Sequence, residues 1–309
     1  MPCYHPLPAW YSKQKNKTGK RSLVFKAEHG LPGQIKIGCG QCIGCRLEYS
    51  RHWAVRCMAE SQLHDYNCFI TLTYDHAKCP QDTGLVKRHL QLFLKRLRKK
   101  CGPFRYFACG EYGDQSNRPH YHAILFGLDF TDKILVSEKQ GRKLYTSPTL
   151  ESVWGKGYVT IGEVTFESCA YVARYVVKKV TGKNKKRLDK KGLKPYERVD
   201  SITGEIIPVQ EEFTQMSRGQ RTGKGGIAKE WYDKYKTDCY PSGYLISRGF
   251  KVPIPRYFNK MYDIDNPKMM AQIKQKKLDF YASKNYTNKR LAEMELAKTT
   301  QLKEAKRTL

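Results

Sequence analysis

Arg118-Pro119-His120-Tyr121-His122-Ala123-Ile124-Leu125-Phe126 reads as a β-strand: it ends in an apolar run and begins with histidine, apolar residue, histidine. Strand alternation sends His120 and His122 to one face and Tyr121 and Ala123 to the other. Two imidazoles held side by side on a rigid strand can chelate one cation while the opposite face packs into a core. A lone His-x-His also occurs by chance on surface strands, so its neighbours decide its meaning. Upstream, Glu111 closes the apolar stretch Phe104-Arg105-Tyr106-Phe107-Ala108-Cys109-Gly110, and Gly113 follows in a turn. A hairpin between the two stretches brings Glu111 back beside the histidines. Two imidazoles and one carboxylate leave coordination positions for water and phosphate oxygens, which suits Mg²⁺ or Mn²⁺ engaged with a phosphodiester. Without the histidines, Glu111 would read as an exposed turn carboxylate.

Phe166 to Val180 carries apolar residues at helical spacing. At about 100° per residue, Cys169, Val172, Ala173, Val176, Val177 and Val180 form one arc, and Tyr171, Tyr175 and Lys178 line the other side with Glu167. Residues at i and i+4 are neighbours on a helix, so two phenols sit together with an ammonium a turn further on. A phenol with its usual pKa of about 10 is a poor nucleophile. It becomes competent at phosphorus when a metal polarises the phosphate and a cation stabilises charge. The common alternative is that both rings pack against another element.

Around these elements the pattern predicts a helix from about Arg46 to Gln62, a strand over Asn67–Tyr74 and an amphipathic helix from about Leu85 to Lys100 bearing Val86, Leu90, Phe93, Leu94 and Leu97. A short helix near Leu150–Trp154 and a strand over Tyr158–Val164 precede the tyrosine helix. The order β-α-β-β-α-β-α suits the α+β class, an antiparallel central sheet with helices packed on it.

Phe69-Ile70-Thr71-Leu72-Thr73-Tyr74, Pro119-His120-Tyr121-His122 and Tyr171-x3-Tyr175-x2-Lys178 together resemble the first-strand, metal and nucleophile motifs of the HUH endonucleases, the tyrosine nickases. Two tyrosines four residues apart resemble the two-tyrosine replication initiators of small single-stranded DNA phages. Cys39-Gly40-Gln41-Cys42-Ile43-Gly44-Cys45-Arg46, Trp53-Ala54-Val55-Arg56-Cys57, Gly110-Glu111-Tyr112-Gly113 and Val252-Pro253-Ile254-Pro255-Arg256-Tyr257 are similar to stretches of the gokushovirus branch of the microviruses. The resemblance implies a ferredoxin-like or RRM-like core and a metal held by Glu111, His120 and His122. It also implies attack by Tyr171 or Tyr175, with Lys178 steadying the phosphate. The product would be a 5′-phosphotyrosyl link and a free 3′-hydroxyl that primes rolling-circle replication. Single-stranded origin DNA, a host helicase and a host polymerase are the partners implied, in the cytoplasm of a bacterial cell.

The composition agrees with a polyanion partner: 57 Lys+Arg against 29 Asp+Glu give a formal charge of +28 over 309 residues. No apolar run approaches the length of a membrane span, and Met1-Pro2-Cys3-Tyr4-His5-Pro6 lacks a signal-peptide core. The eleven cysteines are an odd number, which argues against a complete set of disulfides. Cys39, Cys42 and Cys45 have the spacing that aims thiolates at one metal, with Cys3 or Cys57 as fourth ligand. Zinc is expected there. An iron–sulfur cluster uses similar spacing but lacks its usual fourth Cys-Pro, and reduced thiols are the plain alternative. Cys68, Cys101, Cys109 and Cys169 fall at apolar positions and read as core.

Three regions are expected: a cysteine-rich arm and helix at 1–65, a catalytic core at 66–182, and a basic DNA-contacting region at 183–309. Lys183, Lys185, Lys186, Arg187, Lys190, Lys191 and Lys194 crowd a stretch expected to be a flexible loop tracking phosphates. Arg174 and Lys179 on the tyrosine helix, and Arg218, Arg221 and Lys224 in a Gly-rich stretch without the Walker A pattern, join the expected DNA contacts. Trp231, Tyr232, Tyr235, Tyr240 and Tyr244 stand among lysines, where they either stack bases or form a small core. The tail from Pro267 reads as a basic helix. Two other classes compete. A non-catalytic, zinc-containing nucleic-acid-binding protein leaves the placement of Glu111, His120, His122 and the tyrosines accidental, and a relaxase or transposase of the same superfamily would act on a different DNA site.

Overall fold

The computed structural model describes residues 3–16, 19, 21–80, 84–113, 117–178, 180, 185–189, 192–200, 202–219, 225–247, 249–284 and 286–304; for 175–178, 281 and 282 the description is of backbone only. The chain divides into two units, Met1–Tyr49 with Asp279–Leu309, and Ser50–Leu278.

In the first unit, β1 (Leu7–Lys15) pairs antiparallel with β2 (Arg21–Val24) and β3 (Ile35–Ile37). Its small core gathers Tyr4, Cys42 and Leu291, with Ile43, Tyr286 and Met294 against them. Helix α1 (Ile43–Ser61) begins here and continues in the second unit. The basic tail is two helices, Pro267–Ala282 and Asn288–Glu304.

The second unit is built on β4 (Asn67–Tyr74), in which burial alternates: Cys68, Ile70, Leu72 and Tyr74 are buried on one face, and Phe69, Thr71 and Thr73 are half-buried on the other. Helix α2 (Lys87–Cys101) follows, burying Leu90, Phe93, Leu94 and Leu97. These positions make one helical stripe. Gly102, at φ 85°, ends α2 in a conformation that residues with a Cβ rarely adopt. Next come β5 (Arg105–Tyr112), β6 (Pro119–Phe126), the hairpin β7 (Ile134–Lys139) and β8 (Arg142–Thr146), α3 (Pro148–Trp154), β9 (Gly157–Gly162) and α4 (Phe166–Lys178). Ser147 caps α3 by accepting from Leu150 N, with Pro148 in the first turn where its missing N–H costs nothing. The chain continues through the hairpin β10 (Glu197–Val199) and β11 (Ile206–Pro208), then β12 (Phe213–Met216), α5 (Lys229–Cys239), the hairpin β13 (Tyr244–Ser247) and β14 (Phe250–Pro253), and α6 (Arg256–Asp265).

The fold is α+β. Seven strands form one antiparallel sheet in the order β12-β5-β6-β4-β9-β8-β7. Its inner strands β5-β6-β4-β9 have the split βαβ arrangement, in which the crossover through α2 leaves a gap between β4 and β5 that β6 fills. Helices α2 and α3 bury one face around Trp154, Tyr121 and Phe93. On the other face α1 and α4 to α6 enclose Phe107, Ile124 and Phe126 with Trp53, Val172, Tyr232 and Phe258; Trp53 stacks on Phe107 at 4.5 Å.

The sheet gains strands beyond the expected order. Residues 134–146 are a hairpin extending the sheet, and Phe213–Met216 adds its opposite edge strand; the first is too exposed and the second too short to show a clear apolar period. The stretch from Lys183 to Lys194 expected to be a flexible loop holds no strand among its described residues, and the β10–β11 hairpin follows it. For the aromatic run after Trp231 the small-core alternative holds: Tyr232 and Tyr240 are buried, Tyr240 stacks on Tyr262 at 3.7 Å, and Trp231 stacks on Phe258. Cys68, Cys109 and Cys169 are buried and Cys101 is half-buried.

Candidate metal and nucleophile site

Strand register assembles the first part of the site. In the β5–β6 pair Glu111 stands opposite His120 and Cys109 opposite His122; in the β4–β6 pair Thr73 stands opposite His120 and Thr71 opposite His122. Directly opposed residues share a face, so a carboxylate, two imidazoles and two hydroxyls converge. Glu111 Oε1 lies 2.6 Å from His120 Nε2 and 3.1 Å from His122 Nε2. Glu111 is 1 % exposed and His122 5 %. Burial pushes the Glu111 carboxyl upward, but hydrogen bonds from both rings outweigh it and hold the group below its ordinary value.

The outer nitrogens are also engaged. His120 Nδ1 lies 3.0 Å from the Arg118 carbonyl oxygen, which only accepts, so Nδ1–H donates there, and Nε2 has a lone pair to give when a cation replaces the proton it shares with Glu111. His122 Nδ1 lies 2.9 Å from Thr71 Oγ1, which can accept in the same sense. Nitrogen lone pairs this close to a carboxylate repel unless a proton or cation lies among them. All three donor atoms fall within 4.8 Å of one another. Neighbouring donors of an octahedral ion with bonds of about 2.1 Å stand about 3 Å apart, close to the two separations found. The residues fit a divalent cation.

Helix α4 supplies the second part. Thr165 and Ser168 cap it reciprocally: Ser168 N donates to Thr165 Oγ1 at 3.1 Å and Thr165 N to Ser168 Oγ at 2.8 Å. Cys169, Val172 and Ala173 bury the apolar arc against the sheet. Tyr171 projects onto the histidine face, its ring edge-on to His122 at 5.1 Å. Phe69 stacks on His122 at 5.6 Å and meets Tyr171 edge-on, so the three rings hold one another. Tyr175 and Lys178 follow on the same helix, but their side chains lie outside the described residues, as do Lys179, Lys183, Lys190, Lys191, Arg221 and Lys224. Of the other basic residues, Arg174, Lys186, Arg187 and Arg218 are exposed, and Lys185 pairs with Glu211. Thr71 and the Arg118 carbonyl were not legible as site groups. The alternation of β4 put Thr71 on the right face, but only the register sets it against His122.

A second donor cluster lies in the first unit. Cys3, Cys39, Cys42 and Cys45 bring their Sγ atoms within 4.8 Å of one another, and Cys3 and Cys42 are 3.9 Å apart. Tetrahedral zinc with Zn–S bonds of about 2.3 Å separates its sulfurs by about 3.8 Å. Backbone N–H groups donate to these sulfurs, Cys39 to Cys3 at 3.2 Å, Cys42 to Cys39 at 3.3 Å and Tyr4 to Cys42 at 3.4 Å. Burial raises the Cys42 thiol, yet the N–H donors outweigh it and bring the group down to about 7. Cys3 joins the cluster, whereas Cys57 is buried in the core of the second unit against Cys169.

Residues 67–180, the span from β4 through α4, match the family described as replication-associated protein ORF2/G2P. The chain is 31 % identical over 310 residues to replication-associated protein VP4 of Bdellovibrio phage phiMH2K, covering 96 % of this chain and 86 % of the relative. It is 37 % identical over 239 residues to replication-associated protein ORF2 of Spiroplasma virus 4, covering 72 % and 67 %. With replication-associated protein ORF4 of Chlamydia phage 1 the identity is 27 % over 235 residues, covering 73 % and 53 %. No solved structure matches. Among the described residues no helix is long and apolar enough to cross a membrane. The length of the match to the Bdellovibrio phage protein, through both units and the site between β4 and α4, makes this chain a member of the family of phage replication-associated proteins.

Proposed function

We propose that the chain initiates rolling-circle replication by nicking single-stranded origin DNA with a tyrosine. The observation that carries this reading is Tyr171 seated edge-on against His122, within the shell of Glu111, His120 and His122. A Mg²⁺ or Mn²⁺ ion held by those three residues supplies polarisation of the scissile phosphate when bound. The Tyr171 phenol loses its proton to solvent and its oxygen forms the bond to phosphorus. The P–O3′ bond breaks and the 3′-oxygen takes up a proton. The chain is then linked to the 5′-phosphate, and the free 3′-hydroxyl serves a host polymerase, with a host helicase opening the duplex ahead. Tyr175, one turn along α4, gives a second nucleophile for the regenerated origin, and a 3′-hydroxyl attack on the first link rejoins the ends. Lys178 steadies charge on the phosphate. Arg174, Lys179, Lys183, Lys185, Lys186, Arg187, Arg218, Arg221 and Lys224 contact the DNA backbone, as the formal charge of +28 favours. Cys3, Cys39, Cys42 and Cys45 hold a structural zinc. The protein acts inside the bacterial host cell.

The test is incubation with end-labelled single-stranded origin DNA and Mn²⁺, followed by a denaturing gel. A metal-dependent protein–DNA adduct, absent from the Tyr171→Phe/Tyr175→Phe double variant, is expected. Cleavage without an adduct that survives in the double variant would overturn tyrosine attack in favour of metal-activated water.

A further inference from the structure

The row of side chains that begins with Glu111 does not end at Thr73. Thr73 on β4 is paired with His120 on one side and with Tyr158 of β9 on the other. Tyr158 therefore stands on the metal-ligand face, in the same row as Glu111, His120 and Thr73. The burial of β9 agrees: Val159 and Ile161 point into the opposite core, Thr160 is half-buried, and Tyr158 is 67 % exposed. The main packing of α4 on the sheet falls on β12, β5 and β6, with Tyr171 reaching Phe69 of β4. An exposed ring thus lies beside the donor set on a sheet face floored by Thr71, Thr73 and Thr160.

Its backbone is held firmly. Gly157, at φ 143°, brings β9 so close to the end of β4 that a Cβ there would lie 2.1 Å from Asp75 N and 2.5 Å from Thr73 O. Asp75 N donates to Lys156 O at 2.9 Å just beyond. The ring is displayed on a rigid strand, at little entropic cost to a ligand that stacks on it.

We infer that Tyr158 is a stacking platform for one unpaired base of the DNA strand, one or two nucleotides from the phosphate held at Glu111, His120 and His122. Neighbouring strands are about 4.8 Å apart, so two strand steps place Tyr158 about 10 Å from His120, within reach of a base whose own phosphate chain passes the metal ligands. A flat aromatic face takes any base, and strand-borne rings on open sheets suit single strands, whose bases are free to splay out. The strongly positive chain supplies the attraction to phosphates that brings such a strand to the face. The inference rests on the reading of the triad as the phosphate-binding metal site.

The experiment is an anisotropy titration of the protein as purified, without chelator, with two fluorescein-labelled probes, a 20-nucleotide oligothymidylate and a 20-unit abasic strand with the same phosphates and no bases. For the wild type, Tyr158→Phe and Tyr158→Ala are compared. Tyr158→Ala should bind oligothymidylate about tenfold more weakly, the abasic strand equally, and with an unchanged salt slope. Tyr158→Phe, which keeps the face of the ring, should match wild type. Equal affinity of Tyr158→Ala and wild type for oligothymidylate would overturn the inference and leave the exposed ring to a protein partner. Equal weakening on both probes, or a Tyr158→Phe loss as large as that of alanine, would overturn it too, by assigning the effect to phosphates or to the hydroxyl. Cleavage is not needed for this readout. A wild type that stacks a base on Tyr158 but forms no covalent adduct refutes only the nickase reading, and a Tyr158→Ala protein that nicks and binds normally refutes only the stacking.

Discussion

Thr71→Val should weaken divalent-cation binding by about 10- to 100-fold while leaving the three ligands in place. In the structure Thr71 Oγ1 lies 2.9 Å from His122 Nδ1 and is paired with it across the β4–β6 ladder. For His122 Nε2 to give its lone pair to a cation, Nδ1 must carry the proton and donate it to the Thr71 hydroxyl. Valine has nearly the same shape but no acceptor, so the His122 N–H, 5 % exposed with its residue, loses its partner. An unpaired buried donor costs about 1–3 kcal/mol. At about 1.4 kcal/mol per tenfold, that range corresponds to the loss of metal affinity seen when outer-shell partners are removed. The assay is a Mn²⁺ titration followed by electron paramagnetic resonance of the free ion, with Thr71→Ser as a control that restores the hydroxyl. Affinity of Thr71→Val within twofold of wild type would refute the reasoning. So would a Thr71→Ser protein as weak as the valine variant, because the hydroxyl would then be irrelevant.

Other consequences are open to measurement. Glu60 is fully buried, accepts from Ala228 N, and faces Arg105 Nη1 at 3.1 Å and His64 Nε2 at 3.3 Å; Glu60→Ala strands the arginine and should cost about 3–5 kcal/mol in urea unfolding. Burial raises the Glu60 carboxyl, but His64, the Ala228 N–H and Arg105 outweigh it and depress it. A depressed carboxylate contributes its full stability above the ordinary value of about 4.3 and loses it as pH falls through the folded value. Wild type and Glu60→Gln should therefore converge in stability toward acid, and a gap that widens on acidification would contradict the pairing. Cys42→Ser should abolish a metal content of about one zinc per chain measured by mass spectrometry, and chelation should loosen the first unit while the second keeps its unfolding midpoint. Gly157→Ala forces a Cβ against Asp75 N and Thr73 O at a φ of 143°; a destabilisation of about 1–3 kcal/mol is expected, and a neutral result would show that β9 can shift.

Much of the site was legible because short-range periodicity carries it. The alternation of Pro119–Phe126 put both histidines on one face, and the 3.6-residue period of Phe166–Lys178 separated Tyr171 from the arc of Cys169, Val172 and Ala173; the helix buries that arc, while β6 is buried on both faces and its alternation shows in which core each residue joins. Cysteine spacing marked Cys39, Cys42 and Cys45, since a metal-binding turn is itself a local structure. What stayed hidden depends on contacts between distant segments. Phe213–Met216 has too few residues for a period to emerge, and it becomes a strand only because the edge of β5 supplies its hydrogen bonds. Cys3 was distinguished from Cys57 by which chain segment folds back on the turn, and Thr71 and Tyr158 by ladder register, which no single strand encodes. The sequence by itself determined the chemistry on offer, two imidazoles, a carboxylate, paired phenols and five candidate thiolates, because side-chain type and local period are properties of adjacent residues. Only the tertiary structure decided which of these groups meet, because hydrogen-bonded register and core packing are set by segments far apart in the chain.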